Sequence, residues 1–123
     1  MTANELRLGN WVMFRNSETG LFENDLPIVE VQELLYIEDR TFDVEPIPLT
    51  EEWLAKFGVK WIDETGYGWI DGNYHFKAKK FKNGRIDIWI NSNLVNNRKT
   101  KYVHQLQNLY FALTGEELKN QLR

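Results

Sequence analysis

Two dipeptides, Asp71-Gly72 and Asn83-Gly84, constrain this chain more than any other feature. Asp-Gly and Asn-Gly close tight β-hairpins because both residues of each pair tolerate left-handed backbone. A two-residue loop at Asp71-Gly72 sets Ile70 against Asn73 and puts Tyr67 and Trp69 opposite Tyr74 and Phe76 on one face. At Asn83-Gly84 two registers compete. A two-residue loop sets Lys77 and Lys79 against Ile90 and Ile88. A three-residue loop, Lys82-Asn83-Gly84 with Gly84 left-handed, sets Phe76 and Ala78 against them instead. A one-residue slip turns every side chain over, so burial selects the second register. The result is a three-stranded meander over 67–70, 73–81 and 85–91. Its expected inner face is Tyr67, Trp69, Tyr74, Phe76, Ala78, Ile86, Ile88 and Ile90. Its expected outer face is His75, Lys77, Lys79, Phe81, Arg85, Asp87, Trp89 and Asn91.

The C-terminal segment reads as an amphipathic helix near 101–113. At 100° per residue, Val103, Leu106, Leu109, Tyr110 and Leu113 fall on one arc around Tyr102. Thr114-Gly115 stops it, and Thr114 with Glu117 fits a capping box for a short final turn. Phe111 lies on the opposite side beside His104 and Gln107. That back face is either covered by a second layer of the fold or presented to a partner. In the second case His104, Gln107 and Phe111 are the contact residues. The meander needs one covering helix, most simply this one.

The remainder is read locally. Trp11–Phe14 is a first strand after a turn at Gly9-Asn10, and 16–20 is turn chemistry. Residues 28–37 read as a long strand with a bulge at Leu34-Leu35, and Thr41–Glu45 alternates and pairs with it. Pro46 and Pro48 force extended backbone. Thr50 caps a short helix near 51–57, with Glu51 and Glu52 at its positive end and Gly58 as its stop. The expected class is therefore α+β. A mostly antiparallel sheet, made of N-terminal strands and the later meander, packs with a short central helix and a longer C-terminal one. The chain forms one domain, 1–123.

Three segments resemble a known family: Thr2-Ala-Asn-Glu-Leu-Arg-Leu-Gly-Asn-Trp11, Glu45-Pro-Ile-Pro-Leu-Thr-Glu-Glu-Trp-Leu54 and Tyr102-Val-His-Gln-Leu-Gln-Asn-Leu-Tyr-Phe-Ala-Leu-Thr-Gly-Glu-Glu-Leu118. The last is the most specific. The family is one of small uncharacterised proteins encoded by phages and prophages. Residues 15–44 and 59–100 show no such likeness. The resemblance implies an accessory phage-type product in the cytoplasm of a bacterial host. It brings no catalytic residues and no cofactor.

Composition narrows the function classes. The chain has no cysteine, which excludes disulfides, thiol catalysis and cysteine-ligated zinc. No apolar run reaches the length of a membrane span. The net charge of −3 hides a split: residues 1–66 carry 14 acids and 5 bases, and residues 67–123 carry 4 and 10. The two halves either neutralise each other or display a surface. On the expected outer face, Lys77, Lys79 and Arg85 interleave with Phe81 and Trp89. These are the ingredients of a platform for single-stranded nucleic acid, with Arg98, Lys99 and Lys101 adding charge nearby. Cross-strand Lys–Trp and Lys–Asp pairs also stabilise an ordinary solvated face.

Enzyme signatures are weak. The two histidines, His75 and His104, form no metal-binding pair, and Ser17 and Ser92 lack a nucleophile context. Gly66-Tyr67-Gly68 misses the dinucleotide spacing. The expected function is non-enzymatic binding to a host or phage protein, with modulation of host defence or metabolism as its use. Nucleic-acid binding and a structural phage component are the alternatives. No cofactor, no metal and no membrane partner is expected.

Overall fold

The computed structural model describes residues 3–16, 18–62, 65–95 and 100–120, without the side chains of Glu23 and Tyr74. Ser17, Arg98 and Lys99 and the side chain of Tyr74 therefore lie outside the described residues. A 3₁₀ turn at Ala3–Glu5 precedes strands β1 (Trp11–Arg15) and β2 (Phe22–Pro27), helix α1 (Val31–Glu38), strand β3 (Val44–Pro46) and helix α2 (Glu51–Lys56). Strands β4 (Val59–Trp61), β5 (Tyr67–Ile70), β6 (Asn73–Lys80), β7 (Ile86–Ile90) and β8 (Asn93–Leu94) follow, then helix α3 (Val103–Thr114). The protein is α+β and mostly antiparallel, with one three-stranded sheet, β2-β1-β3, and one five-stranded sheet, β4-β5-β6-β7-β8. Residue contacts divide the chain into two compact units, residues 1–48 with 102–108 and residues 49–101 with 109–123.

In the first unit β1 is the central strand, and Val12 is fully buried with Leu6, Ile28 and Ile37. The edge strand β2 was not expected from the sequence. Its Asn24, Asp25 and Pro27 have low strand propensity, but an edge strand can leave polar groups in water and can lack a ladder donor. The expected strand at 28–37 is instead α1. The Glu33 carboxylate accepts from the backbone N–H of Val29 and Glu30, both at 3.0 Å, which satisfies donors at the helix start. Leu34 and Ile37, three apart, turn inward onto Val12 and Ile28. The broken alternation at Leu34-Leu35 thus marks a helical period and not a bulge. With no strand there, β3 pairs with β1: Phe14 faces Val44 and Val12 faces Pro46.

The first unit is closed by polar groups from opposite ends of the chain. Gln107, 2% exposed, accepts from Trp11 N at 2.9 Å and donates to Gly9 O at 2.9 Å. Asn108 Oδ1 accepts from Arg7 Nε and Asn10 Nδ2, each at 2.8 Å, and Asn108 Nδ2 donates to Glu5 O at 2.9 Å. Gly9, at φ 89°, forms the turn in which Asn10 N donates to Arg7 O, and so presents these groups. Ile47 O accepts from Val103 N at 2.9 Å in the same unit.

In the second unit Thr50 Oγ1 caps α2 by accepting from Trp53 N, and Trp53, Leu54 and Phe57 are buried. The β6–β7 register is the one burial selects: Phe76 faces Ile90, Ala78 faces Ile88, and Gly84 is left-handed at φ 88°. The first hairpin differs. Ile70 does face Asn73, but Trp69 faces Lys77 and Tyr67 faces Lys79, so residues 74–76 form an irregularity in β6. Tyr67 and Trp69 consequently leave the inner face, and Gly68 and Ile70 take their places. The cause is β4, a strand with too few residues to be read from sequence. A Cβ on Gly68 would stand 2.7 Å from the Trp61 ring and 2.8 Å from Val59 Cγ1. Only a glycine fits under β4, so this side of β5 is the packed one.

The inner face buries Ile70, Phe76, Ala78, Ile88 and Ile90. Tyr110 of α3 lies against Phe76, with ring centroids 6.4 Å apart, and its hydroxyl accepts from Asn73 Nδ2 at 2.5 Å. α3 ends at Thr114 with Gly115 at φ 76°. The expected final capped turn does not form. Thr114 Oγ1 instead donates to Tyr110 O at 2.7 Å and accepts from Glu116 N at 3.1 Å.

Two stability effects follow. Gln107→Ala leaves Gly9 O and Trp11 N without their partner and should cost at least about 2 kcal/mol. Gly68→Ala forces a methyl into the Trp61–Val59 contact and should cost about 1–3 kcal/mol. Urea unfolding midpoints measure both, and an unchanged midpoint in either variant would refute its assigned role.

Candidate functional site

Register alone brings the candidate residues together on the outer face of the five-stranded sheet. One cross-strand row runs Lys60, Trp69, Lys77, Trp89, Leu94, with one residue from each strand. A second row is Tyr67, Lys79, Asp87. The side chains of a row share one face because side-chain direction alternates along every strand. Trp69 is 43% exposed and Leu94 55% exposed, and Lys60 and Lys77 are exposed too.

Within this face aromatic rings and cations contact one another. Lys77 Nζ stands 4.6 Å from the Tyr67 ring centroid and 5.6 Å from that of Trp89. Lys79 Nζ stands 4.8 Å from Tyr67 and 5.0 Å from Phe81, and the Arg85 guanidinium lies 4.3 Å over Phe81. Asp87 pairs with Arg85 at 3.5 Å, and Asp71 pairs with Lys60. Among the described residues Lys77 and Lys79 have no carboxylate within ion-pair distance. The face therefore displays two cations outside ion-pair distance of a described carboxylate, with Asp87 across from Lys79, flanked by four aromatic rings.

Lys77, Lys79, Phe81, Arg85 and Trp89 thus stand together as the sequence reading placed them. Tyr67, Trp69 and Lys60 belong to the same face and were missed. The signal for the first two was the Gly68-x-Ile70 alternation, which competes with Tyr67-x-Trp69 and wins once β4 is present. His75 sits at the margin, where its Nδ1 donates to Asn91 Oδ1 at 2.6 Å. Asn91 and Ser92, at φ 51° and 68°, make a further hairpin turn into β8 that the sequence reading did not anticipate.

Beside Trp69 the β6 irregularity opens a cleft of about 370 Å³. Its walls include Trp69, Asp71, Asn73 and Lys77, and the buried Phe76 lines it as well.

The α3 back face does not serve as a three-residue docking surface. Gln107 is buried in the clasp already described, and His104 is 1% exposed. The second layer that covers them is the N-terminal segment 5–11. Phe111 is 40% exposed, and Leu113, expected on the inner stripe, is 42% exposed.

His104 Nε2 lies 3.1 Å from Glu5 Oε1, its ring stacks on Tyr102, and Nδ1 has no hydrogen-bond partner. Burial pushes its pKa below the ordinary 6.5, and the Glu5 carboxylate offsets this only in part. The imidazole is therefore neutral near pH 7 and donates from Nε2 to Glu5.

Among the described residues no group of three His, Asp or Glu side chains is arranged to hold a metal ion, and no helix is long and apolar enough to cross a membrane. No protein-family model, no curated protein and no solved structure matches the chain.

The His104 environment sets a pH dependence with a definite sign. The unfolded chain takes up a proton at His104 near pH 6.5, and the folded chain does so only at lower pH. Stability should therefore fall as pH drops below about 6.5, until the folded pKa is reached. His104→Gln should flatten that part of the stability curve. Thermal melts between pH 5 and 8 test it, and an identical slope in the variant would refute it.

Proposed function

We propose that this chain is a non-enzymatic, phage-type accessory protein of the bacterial cytoplasm that binds single-stranded nucleic acid across the outer face of its five-stranded sheet. The observation supporting this is the convergence of Tyr67, Trp69, Phe81 and Trp89 with Lys60, Lys77, Lys79 and Arg85 on one face. The phage setting rests on the three segments that resemble the phage-encoded family.

The energetic ordering favours such a ligand. An exposed cation–π contact contributes about 0.5–1 kcal/mol. A base stacked on an aromatic side chain contributes about 1–3 kcal/mol. A strand entering the face exchanges the weaker contact for the stronger, and the displaced ammonium groups turn to the polar atoms of the strand. Two ammonium groups beside the rings, neither within ion-pair distance of a described carboxylate, suit a polyanion better than an apolar protein surface. The alternative of a protein partner loses weight because His104 and Gln107 are interior, which leaves Phe111 on that face of α3.

Fluorescence anisotropy with a labelled dT20 oligonucleotide should show binding at low salt that weakens steeply as salt rises. Trp69→Ala should weaken it by about tenfold, in keeping with the loss of one stacked base. Absence of binding at low salt overturns the proposal. So does retention of a single host protein from nuclease-treated lysate that Phe111→Glu abolishes, which establishes the protein-partner alternative. A defined homo-oligomer with no nucleic-acid affinity, seen by light scattering, would instead support a structural component.

A further inference from the structure

The cleft beside Trp69 has features that the flat part of the sheet lacks. It exists because Trp69 and Ile70, adjacent in β5, pair with Lys77 and Asn73, which are not adjacent in β6. Residues 74–76 stay in β6 but have no partner on β5, and the space left is about 370 Å³. That is within the range of small-molecule pockets. The Trp69 indole supplies a flat wall, and Phe76, 2% exposed, contributes an apolar surface. The polar groups are few. Asn73 is already committed, since its Nδ2 donates to Tyr110 and its Oδ1 accepts from His75 N. What remains is the Asp71 carboxylate and Lys77, whose ammonium stands over the Tyr67 and Trp89 rings and turns into the cleft to meet a ligand.

A carboxylate accepts only, and has about four lone-pair sites on two oxygens. The Asp71 pairing with Lys60 uses one oxygen, Oδ2, in one direction. Two adjacent N–H donors can therefore still bridge the carboxylate. Among the common bases only guanine presents such a pair, N1–H and N2–H, with the O6 acceptor alongside for an ammonium. Adenine presents the N1 lone pair to the carboxylate and is repelled. Cytosine and thymine offer one donor each on that edge.

We infer that the cleft formed by Trp69, Asp71 and Lys77 is a guanine-reading site, in which the base stacks on Trp69, Asp71 accepts from N1–H and N2–H, and Lys77 donates to O6. The inference deepens the sheet-face proposal and rests on it for the strand that carries the base.

The test compares labelled oligothymidylates bearing one central guanine, inosine or adenine, with free GMP as a separate ligand. Inosine lacks only the N2 amine. Guanine should bind about fivefold or more tighter than inosine, the discrimination of a bidentate contact, and adenine more weakly than guanine. In Asp71→Asn the guanine-to-inosine ratio should fall to about one, because the amide puts an NH2 donor where the carboxylate has its second oxygen and so cannot take the two adjacent donors side by side. That variant keeps an Asn-Gly turn, and its thermal melt checks that it folds. Equal binding of the three oligonucleotides overturns the guanine site and leaves the sheet-face proposal standing. Binding of GMP without binding of any oligonucleotide supports the guanine site and overturns the strand proposal. Failure of every ligand overturns both.

Discussion

The first unit depends on the side-chain amides of Gln107 and Asn108, which lie nearly a chain length away from the backbone groups they satisfy. Gly9 O, Trp11 N and Glu5 O receive these amides directly, and Asn10 is held through Asn108 Oδ1. A buried polar group without a partner costs about 1–3 kcal/mol. With each partner supplied by the other end of the chain, neither segment can be buried alone. Val103 and Leu106 bury the apolar side of the helix while Gln107 and His104 bury the polar side. An interior position on both sides is unusual for a helix with this much polar sequence, and hydrogen bonding is what permits it.

The two ends of the chain are thus largely architectural in the first unit. Residues 5–11 and 102–108 meet in the clasp, and Ile47 O accepts from Val103 N. The exposed aromatic and basic face lies in residues 59–94. Within one chain, the parts that specify the fold and the parts available for contact are separated. Half of the second half's cations gather here, Lys77, Lys79 and Lys80 on β6 and Lys82 and Arg85 in the turn that follows it.

Much of the architecture was legible locally. The turns at Asp71-Gly72 and Asn83-Gly84, the Thr50 cap and the Gly58 and Gly115 stops all act within a few residues, and all appear where local chemistry places them. The β6–β7 register was legible because Phe76, Ala78, Ile88 and Ile90 can be buried together in only one alignment. The candidate site was legible to the same extent: Lys77, Lys79, Phe81, Arg85 and Trp89 follow from that register. Residues 28–37 were misread because a short apolar run supports either period. The capping carboxylate of Glu33 and the position of Ile28 beneath the helix decide it.

Sequence by itself determined the turns at Asp71-Gly72 and Asn83-Gly84, the Thr50 cap, the Gly58 and Gly115 stops, the β6–β7 hairpin and the cations and rings Lys77, Lys79, Phe81, Arg85 and Trp89 on its outer side, because each depends on neighbours close in the chain. Tertiary structure alone decided which side of β5 is packed, since only β4 makes Gly68 an interior position and sends Tyr67 and Trp69 outward. It alone decided that His104 and Gln107 are interior, since the groups that cover and satisfy them come from residues 5–11. In both cases the deciding partner is remote in sequence, and a local pattern carries no information about what will be packed against it.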